Sequence, residues 1–174
     1  IPKLSGTIKF GANLEIGYYD QEQQQLHPEK TVLEEVWDDH PEVSEKDIRS
    51  LLGSFLFVGD DVYKPVSALS GGEKARLELT KLSFMPINFL ILDEPTNHLD
   101  IDSREVLETA INEFDGTVLF ISHDRYFLNQ VATDILYMTT HGMTHYEGNY
   151  DDYLAQQAKL EHQTQPEAKA KQST

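Results

Sequence analysis

Two apolar runs dominate the hydrophobic pattern, Asn88-Phe89-Leu90-Ile91-Leu92 and Thr117-Val118-Leu119-Phe120-Ile121. Each is short and nearly continuous, the pattern of a strand buried on both faces. Between them Val106, Leu107, Ala110, Ile111 and Phe114 recur at helical spacing, and Gly116 is placed to end that helix. Strand, helix and strand in this length predict a βαβ unit with parallel strands, whose C-terminal ends share one edge of the sheet. The helix start falls in Asp100-Ile101-Asp102, and Asp102 with Glu105 resembles a capping box.

Upstream, residues 30 to 86 read as helical. Val32, Leu33, Val36 and Trp37 form one apolar face, and Ile48, Leu51, Leu52 and Phe55 a second. Ser44 with Asp47 fits a looser cap, Gly59-Asp60-Asp61 is a break, and Pro86 closes the region. A third helix begins at Ser70-Gly71-Gly72-Glu73 and should bury Ala75, Leu79 and Leu82. Near the start, residues 7–10 and 14–19 alternate apolar and polar around Gly11-Ala12-Asn13, which predicts an antiparallel hairpin. Residues 125–131 read as a short helix. Residues 135–138 and 143–147 read as a closing hairpin around His141-Gly142, followed by a last helix. From His162 onward large apolar residues vanish, which predicts a disordered tail.

Composition narrows the class. The 174 residues suffice for one domain with a real core. No apolar run is long enough to span a bilayer, and no charged-then-apolar leader opens the chain. Cysteine is absent, which excludes disulfides and thiolate metal sites and fits a reducing cytosol. Fourteen basic against thirty acidic side chains give a formal charge of −16, so this piece alone should repel nucleic-acid phosphates. The cluster Glu34-Glu35-Val36-Trp37-Asp38-Asp39 is expected to be a solvated helix face.

The chemistry lies in residues 69–100. Unpaired N–H groups at the helix start after Ser70 form an anion site, and two glycines allow close approach. Asp93 and Glu94 end a predicted parallel strand, the edge where open α/β sheets bind ligands. Leu69-Ser70-Gly71-Gly72-Glu73 resembles the signature motif of ATP-binding cassette (ABC) ATPases, and Phe89-Leu90-Ile91-Leu92-Asp93-Glu94 their Walker B strand. Glu94-Pro95-Thr96-Asn97-His98-Leu99-Asp100 resembles the form found in the ABC-F subfamily.

The resemblance implies an α/β fold: a partial P-loop NTPase-like ABC core with an inserted helical signature subdomain. It divides the chain into residues 1–22 (antiparallel strands and Q-loop), 23–86 (signature subdomain), 87–160 (α/β core) and 161–174 (tail). It implies ATP and Mg²⁺ as cofactors. Asp93 would hold the metal, Glu94 would act as general base, and His123 would contact the γ-phosphate. Gln21, or else Gln23, would bridge metal and water. Ser70, Gly71, Gly72 and Glu73 would cap ATP bound to the opposite cassette, with Asp100 at the interface. No Gly-x-x-x-x-Gly-Lys-[Ser/Thr] occurs in the 174 residues, so the sequence resembles the C-terminal portion of a cassette, more like the second of two. The implied partners are a second cassette in cis and the ribosome, in the cytoplasm, with no membrane insertion. Two alternatives stand beside this one: the motor half of a membrane transporter, and a non-catalytic module.

Overall fold

The computed structural model describes residues 5–20 and 26–164. They form two compact units divided after Ile121. The first contains β1 (Ile16–Asp20), α1 (Val32–Trp37), α2 (Glu45–Ser54), α3 (Gly71–Ser83), β2 (Phe89–Asp93), α4 (Ile101–Asn112) and β3 (Thr117–Ile121). The second contains α5 (Arg125–Val131), β4 (Asp134–Thr139), β5 (Gly142–Glu147) and α6 (Tyr150–Thr164).

β1, β2 and β3 form a parallel sheet in that order. The βαβ unit of β2, α4 and β3 is therefore as predicted. The N-terminal hairpin is not. β1 pairs parallel with β2, and residues 7–10 are exposed and form no strand. The reason lies at Asn88. Its side chain donates to the Asn13 carbonyl (2.7 Å) and accepts from the Glu15 N–H (3.0 Å), so the approach to β1 is held by the start of β2. Alternation along residues 7–19 carried no information about that distant partner.

Burial also departs from expectation. Tyr19, Leu90 and Leu92 are buried on one face. On the other, Tyr18 and Leu119 flank Ile91 in register and are 51% and 44% exposed, and Ile121 is 62% exposed. Within the sheet the face of Tyr18, Ile91, Leu119 and Ile121 is thus the less buried of the two.

The helical region folds around Val32, Val36, Ile48, Leu52 and Leu77, all fully buried. Local caps set the helix starts. Thr31 accepts from the Glu34 N–H while Glu34 reaches back to the Thr31 N–H, and Ser44 accepts from the Asp47 N–H. The Trp37 indole donates to the Val43 carbonyl at 2.9 Å and closes the α1–α2 corner. The acidic cluster is not wholly a solvated face. Glu35 is fully buried, ion-paired to Lys81 of α3 at 2.5 Å, and accepts from the His27 backbone N–H at 3.1 Å. Lys81 also reaches Asp39 at 3.2 Å.

In the second unit β4 and β5 form the expected antiparallel hairpin. Tyr137, Tyr146 and Tyr150 gather around Tyr153 of α6, and Arg125 lies over the Tyr150 ring. Helix α6 runs to Thr164, past the expected start of the tail at residue 161. Residues 165–174 lie outside the described residues.

Candidate functional site

β2 delivers Asp93 to the C-terminal edge of the sheet, where it is exposed. Its register partners are Asp20 of β1 and Ile121 of β3. Glu94 follows with φ 45°, a left-handed conformation that side chains adopt at some energetic expense. Its backbone N–H donates to the Ile121 carbonyl at 2.9 Å, so the turn is tied to the neighbouring strand. The Glu94 carbonyl then accepts from the Asn97 N–H, and His98 takes φ 59°. Thr96, within this loop, is buried. Two left-handed residues within five positions turn the chain from strand end to helix start in a short span.

The loop ends at Asp100, which caps α4. The structure corrects the cap position here: Asp100, not Asp102, accepts from the Ser103 N–H at 2.8 Å. Hydrogen bonds from Ser103 hold the Asp100 carboxyl below the usual carboxylate range.

The signature helix α3 starts as predicted. Ser70 accepts from the Glu73 N–H at 3.2 Å, and Glu73 accepts from the Ser70 N–H at 2.8 Å. That backbone hydrogen bond is the main reason the Glu73 carboxyl lies below its ordinary value. The two glycines then differ. Gly71 has open space around its Cα, whereas a Cβ on buried Gly72 would meet Ser103 Oγ at 2.8 Å and Asp100 Oδ2 at 3.3 Å. Gly72 is therefore a packing glycine: it lets the first turn of α3 seat on the start of α4. Arg76, one turn further along α3, is buried and donates to Ser103 Oγ at 3.3 Å. Its guanidinium lies 5.5 Å from the Phe57 ring centroid.

The structure thus brings Ser70–Glu73 together with Asp100, and places Asp93 and Glu94 at the other end of the connecting loop. Gln21 and its alternative Gln23 lie outside the described residues; β1 ends beside Asp93, at Asp20. His123 falls in the second unit, and its grouping with the carboxylates rests on sequence. Arg76 and Ser103 were missed. Arg76 was legible as the residue four beyond Gly72, hence on the same helix face. Ser103 was not, because its role depends on how two helices meet. Among the described residues no group of three or more His, Asp or Glu side chains could hold a metal ion. One or two carboxylates completed by substrate phosphates and water is what Mg²⁺ usually accepts, so Asp93 fits a Mg²⁺–nucleotide rather than a free ion.

A parallel sheet with paired carboxylates at its C-terminal edge, and a glycine-opened helix start packed beside their loop, define a nucleotide-binding α/β domain. Comparison with known proteins sharpens this. The family model described as ABC transporter matches residues 6–97, and the chain belongs to the ABC family, in its F subfamily. It is 56% identical over 165 residues to the putative ATP-binding protein YdiF of Bacillus subtilis, covering 93% of this chain and 26% of that protein. It is 43% identical over 174 residues to ABC transporter F family member 5 of Arabidopsis thaliana, covering 96% of this chain and 25% of the relative. Identity to the ATP-binding protein Uup of Haemophilus influenzae is 41% over 180 residues, covering 99% and 28%. The chain thus spans about a quarter of the length of these curated relatives. No described helix is long and apolar enough to cross a membrane.

Proposed function

We propose that this cassette hydrolyses ATP in a site completed by a second cassette of the same protein. The observation that carries the reading is the exposed Asp93 followed by a left-handed Glu94 pinned to Ile121, at the ligand-binding edge of a parallel sheet. Asp93, with Gln21, would hold Mg²⁺; when bound, the ion neutralises phosphate charge. Glu94 accepts the proton of the attacking water. His123 hydrogen-bonds the γ-phosphate oxygens. Ser70 takes the Glu73 N–H for the helix cap, which leaves the first-turn N–H groups of Gly71 and Gly72 to face the terminal phosphate of ATP held by the opposite cassette. Glu73 keeps that turn closed, and Asp100 with Arg76 and Ser103 fixes its position against the loop that carries Glu94.

The test separates the two carboxylates. In the complete protein Asp93→Asn should abolish the tightening of ATP binding by Mg²⁺ while leaving metal-free binding in EDTA unchanged. Equal Mg²⁺ dependence in variant and wild type would refute the metal assignment.

For the complete protein the reading extends to a cytoplasmic ABC-F factor that works on the ribosome. Family membership supports it, and the charge of −16 disfavours general nucleic-acid binding by this cassette itself. Co-sedimentation with ribosomes supports this reading; co-sedimentation with membranes instead supports the motor half of a transporter.

A further inference from the structure

The first turn of α3 carries negative charge where the proposed site receives a phosphate. Glu73 completes the capping box, and its bond from the Ser70 N–H holds the carboxyl below the ordinary range, so it is ionised at neutral pH. It stands within one helical turn of the Gly71 and Gly72 N–H groups. Asp100, close to Gly72, is a second carboxylate held below its ordinary range, by its hydrogen bonds from Ser103. A polyphosphate that approaches this turn is repelled unless cations offset these charges.

Two cations do so. Arg76 is buried, and its charge acts on Asp61, Glu73 and Asp100. Lys64 is the outer one. Its ammonium lies 2.8 Å from Asp61 Oδ1 and 3.7 Å from Glu73 Oε1, on the carboxylate whose other oxygen caps Ser70. The side chain is 47% exposed, so it faces solvent at the rim of the signature turn. Its backbone is fixed. The Lys64 carbonyl accepts from the Val32 N–H at 3.0 Å, the Val66 N–H donates to the Lys30 carbonyl at 2.8 Å, and Val62 and Val66 on either side are buried. The capping box does not need Lys64, because Ser70 and Glu73 already satisfy each other. What Lys64 adds is charge.

We propose that Lys64 is an electrostatic positioning residue for the ATP held by the opposite cassette: it offsets Glu73, so the first-turn N–H groups can take the terminal phosphate. The inference rests on the composite ATP site proposed for this cassette. Asp61 anchors the ammonium, and no direct bond from Lys64 to the nucleotide is required.

The test follows closure of the two cassettes in the complete protein, by energy transfer between dyes on each, as a non-hydrolysable ATP analogue is added. Lys64→Met should raise the half-saturating concentration by about fivefold at low ionic strength. The defect should shrink as salt is raised, which a loss of packing would not do. Lys64→Arg, which keeps the charge, should recover most of the loss. Glu73→Gln supplies the second arm: glutamine still completes a capping box but carries no charge. Combined with Lys64→Met, it should return the half-saturating concentration towards that of wild type. Equal concentrations for wild type and Lys64→Met, a defect indifferent to salt, or a double variant as weak as Lys64→Met would overturn the proposal. Wild-type cassettes that fail to close with the analogue would overturn the composite site as well.

Discussion

Gly71 and Gly72 sit side by side at the start of α3, yet the structure gives them opposite responses to one methyl group. Gly71→Ala adds a Cβ with nothing within 4 Å. Alanine in a helix is better than glycine by about 0.5–1 kcal/mol, so this variant should be neutral or slightly stabilised. Gly72→Ala places the same methyl 2.8 Å from Ser103 Oγ and 3.3 Å from Asp100 Oδ2. Ser103 is fully buried and accepts from Arg76, so it cannot move aside freely. Overpacking of this kind costs about 1–3 kcal/mol, against the same propensity gain. The net expectation is about 1–2 kcal/mol of destabilisation. With a urea dependence of about 2 kcal/mol per molar, that lowers the unfolding midpoint by about 0.5–1 M relative to wild type. Fluorescence of Trp37, the single tryptophan of the chain, can follow the transition, because α1 packs against α2 and α3. Ser103→Ala should partly rescue Gly72→Ala by removing the nearest clashing atom, with a favourable coupling of about 1 kcal/mol in a double-mutant cycle. Equal midpoints for the two alanine variants would refute the packing assigned to Gly72.

Lys81→Met should destabilise the helical region by about 2–3 kcal/mol in the same urea assay, because it leaves the fully buried Glu35 carboxylate without its lysine, held by His27 alone among the described residues; a change near zero would refute a stabilising role for the pair. The Glu73 and Asp100 carboxyls are held below their ordinary range in the folded state, so their capping contribution is present above the ordinary carboxylate pKa, about 4, and is lost as pH falls through the lowered folded values. Hydrogen exchange of the first-turn amides of α3 and α4 should therefore lose protection between about pH 5 and pH 2, and not between about pH 8 and pH 6. The 174 residues by themselves should release no phosphate from Mg·ATP, since Asp93 and Glu94 repel a polyphosphate and no Gly-Lys-[Ser/Thr] cradle occurs in the sequence. Micromolar binding in calorimetric titration with steady turnover would contradict that.

Features closed within a few residues were legible in the sequence. Ser70 and Glu73 announce α3 because a capping box spans four positions, and β2–α4–β3 follows from two apolar runs and one helical stripe. Features that depend on distant partners were not. The alternation of residues 7–19 cannot reveal that Asn88 holds the approach to β1. Asp100 and Asp102 are both good caps in isolation, and the choice falls to Asp100, which also faces Gly72. Glu35 sits in an acidic run that reads as solvated, and its burial is made tolerable by Lys81, forty-six residues on, together with His27. The left-handed backbone of Glu94 has no signature, because glycine is absent where glycine would be easiest.

Single-turnover cleavage of ATP by Glu94→Gln in the complete protein tests whether Glu94 is the general base. The substitution preserves size and hydrogen bonding at the left-handed position and removes only the proton acceptor. Cleavage should slow by about a hundredfold or more while ATP affinity stays unchanged, leaving intact ATP trapped between the cassettes. Wild-type cleavage rates, or a loss of ATP binding that accounts for the whole defect, would contradict the assignment of Glu94 as the general base.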